Sequence, residues 1–273
     1  MAVYLLHGVV DDWTAWKQAH FNYAPADRFL AHLDERLTPY AAWAPNEPDA
    51  DVLTIDDATQ GGAEACMLAR ARGHHVIFFV NPFQVATSRP YAISMLDALI
   101  DARTVSSVAY AGETFPLTDT RGVRQFRKRV KQQLMVEDYE QSLSTIGHVG
   151  GLLAALDLDV PSHARPLSLR DLQRLREAGV QIENHGWSHL DIRTMSHALF
   201  TRDLLRARDW LRDELAIDSR LYAVPFGLTE VPAPCSAEID EYFLVDASRP
   251  LGRLDLKCWN RADLTNELQR HSV

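Results

Sequence analysis

Two short stretches of the sequence carry side chains that could share one metal ion. Asp56 and Asp57 are adjacent and end an apolar run. His185 and His189 follow a second apolar run and lie four positions apart. A four-residue spacing places both imidazole rings on one face of a helical turn, close enough to bind the same cation. A carboxylate and two imidazoles at the ends of two core strands predict a hydrolytic metal site with open coordination positions.

Each half of this site has an ordinary structural explanation when it is taken alone. Adjacent aspartates occur in solvated turns, and two histidines at this spacing arise often by chance. Two buried neighbouring carboxylates, however, repel each other unless a cation neutralises one of them. Because both halves follow predicted strands, the metal site is the better interpretation of the two together.

Alternating strands and helices would position these side chains. Apolar runs predict strands at 3–8, 52–56, 75–80, 180–183, 221–227 and 242–246, and helical spacing predicts helices at 27–36, 63–72, 168–178 and 200–215. This alternation is typical of a parallel barrel or sheet. Ligand sites in such folds lie beyond the carboxyl ends of the strands, where Asp56, Asp57, Asn81 and His7 are expected to lie.

Residues 82–165 are predicted to form a mainly helical insertion, with helices at 91–102 and 122–156. No repeat, low-complexity tract or flexible linker marks a boundary, so residues 1–273 are expected to form one domain. The stretch Gln60-Gly61-Gly62 is expected to interrupt the regular secondary structure between the second strand and its helix.

A basic run, RQFRKRVK, lies at 124–131 within this insertion. Such a run could bind a phosphorylated or acidic ligand. The pattern favours instead a solvated helix face, balanced by the nearby acidic residues Glu137, Asp138 and Glu140.

Composition excludes some classes of protein. The chain has 273 residues, of which 47% are hydrophobic, and a formal net charge of −9, which argues against an electrostatic nucleic-acid binder. Cys66, Cys235 and Cys258 show no metal-binding spacing and indicate buried free thiols in a reducing compartment. The apolar stretch at 1–6 is too short for a signal peptide or a membrane span, so a cytoplasmic location is expected.

Three stretches resemble motifs of the polysaccharide deacetylase family, the NodB-homology domain of carbohydrate esterase family 4. Residues 52–58, VLTIDDA, resemble the TFDDG motif of that family. Residues 184–191, NHGWSHLD, are similar to its NHTxSHPxL motif, and 75–81, HVIFFVN, resemble its ATFFV strand. The resemblance covers most of 1–80 and 165–230. It implies a distorted (β/α)7 barrel with the site at the carboxyl ends of the strands.

The resemblance also implies a role for each site residue. Asp56 corresponds to the catalytic base, and Asp57, His185 and His189 correspond to the ligands of a divalent metal. Zinc is expected, with cobalt, nickel and iron as alternatives. The backbone N–H of Phe226 corresponds to a donor to the oxyanion.

The sequence departs from the family pattern at two points. The arginine that steadies the base is replaced by Ala223, and no LxH motif for a general-acid histidine occurs near the C-terminus. In a permuted subgroup, resembling poly-N-acetylglucosamine deacetylases, the acid histidine lies on the first strand in a YHxV-like sequence. Residues 5–9, LLHGV, resemble that motif and imply that His7 is the acid. From spacing alone, His7 would be a strand-end histidine bonded to a loop.

These features predict a metal-dependent hydrolase that removes an N-acetyl group from an amino sugar. The substrate would be an N-acetylated sugar, a surface glycan such as lipopolysaccharide or exopolysaccharide, or a nucleotide-linked precursor, with no nucleic-acid partner. Alternatives are an amidohydrolase for a non-carbohydrate amide or cyclic imide, and an inactive sugar-binding homologue. An iron oxygenase ranks last, because its usual HxD…H order is absent. The oligomeric state is not predicted.

Overall fold

Parallel strands connected by helices make up the computed structural model, which describes residues 2–13, 22–44, 50–102, 105–135, 139–155, 157–227 and 238–270. The strands are β1 Val3–Leu6, β2 Val9–Val10, β3 Ala24–Pro25, β4 Val52–Asp56, β5 Val76–Val80, β6 Ser107–Tyr110, β7 Glu113–Pro116, β8 Gln181–Asn184, β9 Leu221–Ala223, β10 Glu241–Leu244, β11 Gly252–Arg253, β12 Cys258–Asn260 and β13 Ala262–Asp263. The helices are α1 Ala26–Asp34, α2 Gln60–Ala71, α3 Pro82–Thr87, α4 Ala92–Ala102, α5 Thr120–Leu134, α6 Tyr139–Ala155, α7 Leu169–Glu177, α8 His197–Leu215 and α9 Leu264–Arg270.

One sheet contains most of these strands, in the order β11-β12-β10-β9-β8-β5-β4-β1-β13. Its neighbouring strands are parallel, except for β11 against β12. Only Arg261 separates β12 from β13, and these two short strands pair with β10 and β1 respectively. The extended segment 258–263 therefore joins the two ends of the sheet. Counted over the described residues, β1, β4, β5, β8, β9, β10 and this segment form the distorted (β/α)7 barrel of the NodB type.

Burial on both faces of the strands explains their continuous apolar sequences. All five residues of β4 and of β5 are buried. Successive side chains of a strand point to opposite faces. Inside the barrel, Phe79 packs against Phe243 at 5.3 Å between ring centroids. On the outer face, Leu53 and Phe78 belong to a separate cluster that includes apolar residues of the surrounding helices.

The helices predicted outside the insertion are confirmed, with one correction at α2. The segment Gln60-Gly61-Gly62 does not interrupt the secondary structure but forms the first turn of α2, which Thr59 caps by accepting from the N–H of Gly62. The physical reason is a close approach of backbones. A Cβ atom at Gly61 would lie 2.7 Å from the carbonyl oxygen of Val9. Glycine thus lets α2 begin directly against the barrel rim.

The insertion contains more than the predicted helices. Residues 82–165 hold α3, α4, α5 and α6, but β6 and β7 form an antiparallel hairpin that the sequence analysis did not predict. The predicted helix at 122–156 is two helices, α5 and α6, on either side of residues outside the described range. Buried side chains of this region, among them Leu96, Phe126 and Val149, form a hydrophobic cluster of their own.

Some sequence expectations concern residues outside the described ranges. Cys235, Glu137 and Asp138 are among these, whereas Cys66 and Cys258 are buried. Burial raises the pKa of the Cys66 thiol well above its ordinary value. Within the described ranges, no helix combines the length and the apolar character needed to cross a bilayer.

Gly8 provides a test of how tightly the end of β1 packs. A Cβ atom at Gly8 would lie 2.6 Å from the carbonyl carbon of Gly61, a backbone atom that cannot move aside cheaply. We expect Gly8→Ala to lower the free energy of unfolding by about 1–3 kcal/mol, the usual cost of overpacking. Urea denaturation measures this change.

Gly151→Ala is the matched control, because a Cβ atom at this α6 position would meet nothing within 4 Å. We expect the control to be neutral or to stabilise the protein by up to ~1 kcal/mol, since alanine favours helix over glycine. Equal unfolding midpoints for the two variants would contradict the packing described.

Candidate metal centre and active site

The three side chains that the sequence analysis assigned to a metal meet at one point. Ligand atoms of Asp57, His185 and His189 all lie within 4.8 Å of one another. Asp57 Oδ1 lies 3.3 Å from His189 Nε2 and 3.6 Å from His185 Nε2. Ligands about 2.0–2.1 Å from a tetrahedral ion stand roughly 3.3–3.4 Å apart, so two of these separations suit a zinc-type cation. Asp57 Oδ1 is buried and has no hydrogen-bond partner among the described residues, which fits an atom that would bind a cation.

The backbone at Asp57 explains how two adjacent aspartates serve one site. Asp56 is the last residue of β4, and Asp57 has a φ of 66°, in the left-handed region. The strand therefore ends between them, and both carboxylates line one cavity. Burial alone would raise the pKa of Asp57, but the adjacent His189 and the nearby His7 and His185 hold it well below its usual range. Asp57 is accordingly an ionised ligand at neutral pH.

His185 is held in the tautomer that a metal ligand requires. Its Nδ1 lies 2.8 Å from the carbonyl oxygen of Ala223, so the Nδ1–H donates to that oxygen. Nε2 then faces Asp57 with its lone pair available. Burial lowers the pKa of His185 to about 4, which keeps the ring neutral near pH 7. Position 223 thus contributes to the site through its backbone, although the family arginine is missing there.

Asp56 is engaged by a residue that the sequence analysis missed. Arg261 donates from Nη1 to Asp56 Oδ1 and from Nη2 to Asp56 Oδ2, both at 2.7 Å. Both side chains are buried, and Nη1 also donates to Thr54 Oγ1 at 3.1 Å. Burial alone would raise the pKa of Asp56, but the charges of Arg261 and His185 lower it. Asp56 therefore stays ionised and in a fixed orientation.

Arg261 takes the place of the arginine lost at Ala223, from another strand of the barrel. It lies between β12 and β13, in the segment that joins the ends of the sheet. The predicted strands stopped at residue 246, so nothing marked this segment as part of the barrel. The available signal was Arg261 in the stretch CWNRADL at 258–264, where four of the seven residues are apolar.

Hydrogen bonds from Asn81 hold the turn that carries His185. Asn81, just after β5, donates from Nδ2 to the carbonyl oxygens of His185 and Gly186. The hydroxyl of Tyr91 donates to Asn81 Oδ1 and accepts from the N–H of Ala58, both at 2.9 Å. Tyr91 therefore ties the two halves of the metal site together. Asn81 was expected at this rim, whereas no sequence pattern pointed to Tyr91.

A second clamp comes from α8. Asp203 accepts from the N–H of Trp187 at 2.8 Å and from the hydroxyl of Ser188 at 2.6 Å. Gly186 has a φ of 78°, and a Cβ atom there would lie 3.0 Å from Asp203 Oδ2. The turn is thus held on both sides between the two histidines. Asp203 also carried no signal in the sequence, because it is one acidic residue among several on an amphipathic helix.

His7 and Phe226 line the same cavity as the metal site. His7 directly follows β1, and a positive charge on its ring acts to lower the pKa values of both Asp56 and Asp57. Its Nδ1 is buried without a hydrogen-bond partner in the described part of the chain. Phe226 lies in the turn after β9 with a φ of 62°, and its ring centroid is 5.1 Å from that of His189.

The cavity has a volume of about 700 Å³ and lies between the barrel rim and the insertion. Its insertion wall includes Tyr91 and the basic residues Arg124, Arg127, Lys128 and Lys131. The sequence analysis favoured a solvated helix face for this run. The structure agrees for Arg124, Lys128 and Lys131, which are solvent-exposed, whereas Arg127 is buried. These four of the five basic residues also line the cavity, because α5 packs its apolar side into the cluster of the insertion.

Comparison with known proteins agrees with this fold. The sequence model of the polysaccharide deacetylase family matches residues 160–237, which include His185, His189 and Phe226. No curated protein sequence gives a significant match. The resemblance to polysaccharide deacetylases is therefore confirmed by sequence over residues 160–237.

Solved structures confirm the fold over nearly the whole chain. The deacetylase PplD of Streptococcus pyogenes, in complex with acetate, superposes with a TM-score of 0.55 at 15% identity, covering 96% of this chain and 91% of PplD. IcaB from Ammonifex degensii gives 0.50 at 14% identity, covering 98% and 94%. The polysaccharide deacetylase BC0361 from Bacillus cereus gives 0.52 at 11% identity, covering 96% of this chain and 64% of BC0361.

Removing one ligand tests the metal centre. We expect His185→Ala or Asp57→Asn to weaken binding of Zn²⁺ or Co²⁺ by at least about tenfold, because two remaining protein ligands rarely hold such an ion. Calorimetric titration of the metal-stripped protein measures the affinity. His197→Ala, an exposed histidine at the start of α8, is the control that should bind as the parent does. Unchanged affinity in the His185 variant would remove that residue from the centre.

The pair between Arg261 and Asp56 predicts a large effect on stability. We expect Arg261→Gln to lower the free energy of unfolding at pH 7 by about 3–5 kcal/mol, because a buried carboxylate loses its partner. Since Arg261 lowers the pKa of Asp56, this contribution is present above about pH 4 and is lost as the pH falls through the lowered pKa. Urea denaturation as a function of pH measures both effects.

Two further variants separate the pair from a general loss of charge. Arg208→Gln removes a more exposed arginine that pairs with Asp218, and it should cost less. Adding Asp56→Asn to Arg261→Gln should recover part of the loss, because the uncompensated charge is gone. Additive losses in the double variant would contradict the pairing.

Proposed function

We propose that the protein is a divalent-metal-dependent hydrolase that removes an N-acetyl group from an amino sugar of a glycan or glycan precursor. One observation carries the proposal. Asp56 and His7 line the same cavity as the cluster of Asp57, His185 and His189. On this proposal, a base, an acid and a cation site surround the space where an amide could react. The fold of deacetylases and the family match at 160–237 support the same reaction.

Asp56 has the properties of a general base for water. When bound, a divalent cation would polarise the amide carbonyl and acidify a water molecule in the cavity. Asp56 accepts the proton of that water as it attacks the carbonyl carbon, because its carboxylate is ionised and lies 3.8 Å from Nε2 of the ligand His185. Arg261 fixes the orientation of the carboxylate and acts as a positioning residue.

Phe226 and His7 complete the reaction on this proposal. The backbone N–H of Phe226 would donate to the oxygen of the former carbonyl as negative charge develops on it. His7 would protonate the departing amine nitrogen, since imidazole can carry a proton near neutral pH and its buried Nδ1 has no partner within the described ranges. The products are acetate and a free amino sugar.

Acetate release from a panel of compounds tests the proposal. The panel contains N-acetylated sugars, oligosaccharides and nucleotide-linked sugars, together with cyclic imides and ureides as substrates of the alternative amidohydrolase. We expect acetate only from the N-acetyl sugars, with activity lost on chelation and restored by Zn²⁺ or Co²⁺. Hydrolysis of the cyclic imides alone would favour the amidohydrolase. No turnover of any compound by the metal-loaded protein would contradict the proposed function.

His7→Ala tests the acid assignment. We expect this variant to keep bound metal and to lose roughly 10²–10⁴-fold in rate on an N-acetyl sugar, the usual range for general acid–base catalysis. On 4-nitrophenyl acetate the loss should be much smaller, because that leaving group departs without protonation. Equal losses on both substrates would remove His7 from the mechanism. Asp56→Asn is the comparison variant, and it should lose rate on both substrates.

A further inference from the structure

Basic side chains of α5 form one wall of the catalytic cavity. Arg124, Lys128 and Lys131 are spaced four and three positions apart, so they share one face of the helix. All three line the cavity, as does Arg127. The chain as a whole carries a formal net charge of −9, so this cluster of cations runs against its overall composition. Because this cluster of cations lies beside the reacting groups, it could bind an anionic part of the substrate.

Lys131 lies close to the metal centre. Its Nζ is 5.8 Å from the centroid of the Phe226 ring, and that centroid is 5.1 Å from the ring of His189. One aromatic ring, about as wide as a hexose ring, therefore separates the ammonium group from a metal ligand. A sugar with its acetamide at the metal centre would bring a neighbouring substituent to Lys131.

The two lysines of this wall have no carboxylate partner within the described part of the chain. Arg127 pairs with the buried Asp97 at 3.3 Å, and Arg129 faces away from the cavity toward Glu113 at 3.5 Å. Among the residues whose side chains are described, no carboxylate lies within ion-pair distance of Lys128 or Lys131.

The other charged side chains of the cavity offset the positive charges of Lys128 and Lys131 only in part. Asp56 is compensated by Arg261, and Asp57 faces the two histidines. Asp263, at the end of β13, also lines the cavity and accepts from the N–H and the side-chain amide of Asn266. Because these donors are neutral, the Asp263 carboxylate offsets part of the positive charge. A divalent cation would add further positive charge. Both lysine side chains line the cavity and are exposed to solvent, so they are accessible to an anionic group of a substrate.

We propose that the substrate carries an anionic group, a phosphate or a carboxylate, about one sugar unit from the acetamide, and that Lys128 and Lys131 bind this group. The inference rests on the proposed deacetylase function and specifies the class of its substrate. Two ammonium groups on flexible stems suit either anion, because each acts as a point charge with several donors. The substrate is accordingly an acidic amino sugar or a phosphorylated precursor, and the neutral homopolymer of an N-acetyl sugar is a poor substrate.

Three substrates and two variants test this inference on the metal-loaded protein. The substrates are a nucleoside diphosphate N-acetyl sugar, an N-acetylglucosamine–glucuronic acid disaccharide and the neutral disaccharide of N-acetylglucosamine. The test variant is Lys128→Gln/Lys131→Gln. The control is Arg129→Gln, on the same helix but outside the cavity lining. Rates of acetate release give kcat/KM for each combination.

We expect the parent and the control to prefer an anionic substrate over the neutral disaccharide. In the double lysine variant, this preference should fall by roughly 10–100-fold, as expected for losing hydrogen bonds to a charged group. A fall confined to the nucleotide sugar would identify the anion as phosphate, and a fall confined to the disaccharide acid would identify it as carboxylate. An unchanged preference, with all substrates turned over, overturns the inference and leaves the deacetylase function standing.

A binding measurement keeps the test independent of turnover. Calorimetry with inorganic pyrophosphate and with glucuronate should give a dissociation constant at least about tenfold weaker for the double lysine variant than for Arg129→Gln. If no acetate is released from any substrate but this difference is found, the anion site stands and the deacetylase function fails. Equal affinities in the two variants overturn the anion site whatever the activity.

Discussion

The bond between Arg261 and Asp56 is the interaction on which the rest of the structure depends. It joins the segment that closes the barrel to the strand that ends at Asp56, through two parallel hydrogen bonds of 2.7 Å. A buried carboxylate without this partner would take up a proton or disrupt its surroundings. The same pair therefore stabilises the barrel closure and keeps a charged carboxylate beside the proposed metal ligands. Stability and the proposed chemistry are coupled at one point.

Much of the fold and of the metal site could be predicted from the sequence, and the physical reason is locality. Asp56 and Asp57 end a buried run, and His185 and His189 follow another, so their elements are encoded by a few neighbouring residues. Parallel strands then bring these ends to one rim. The elements that were missed depend on distant contacts. The importance of Arg261 depends on its contact with Asp56, which is distant in sequence. The sequence around residue 261 also shows no pattern that predicts the two short strands β12 and β13.

The insertion illustrates the same limit for a surface. Helical spacing predicted that the basic residues of α5 lie on a helix. The direction in which these basic side chains point, however, depends on how the helix packs. Phe126 and Val130 are buried in the insertion's own cluster, and this turns Lys128 and Lys131 toward the cavity. A charge run in a sequence is more often a solvated face than a ligand site. Only the packing of the insertion distinguishes the two.

The closing segment has a consequence for the order of folding. Arg261 lies 205 residues after Asp56 in the chain, so the two partners meet only after almost all of the barrel has been synthesised. Contacts of such long sequence separation are entropically costly to form and slow folding. Until the last strand docks between β10 and β1, the barrel has two open edges and the base has no counter-charge. Nascent chains of this protein should therefore expose unpaired strand edges, to which chaperones bind, for most of their synthesis. The barrel and the proposed site would be completed together in one late step.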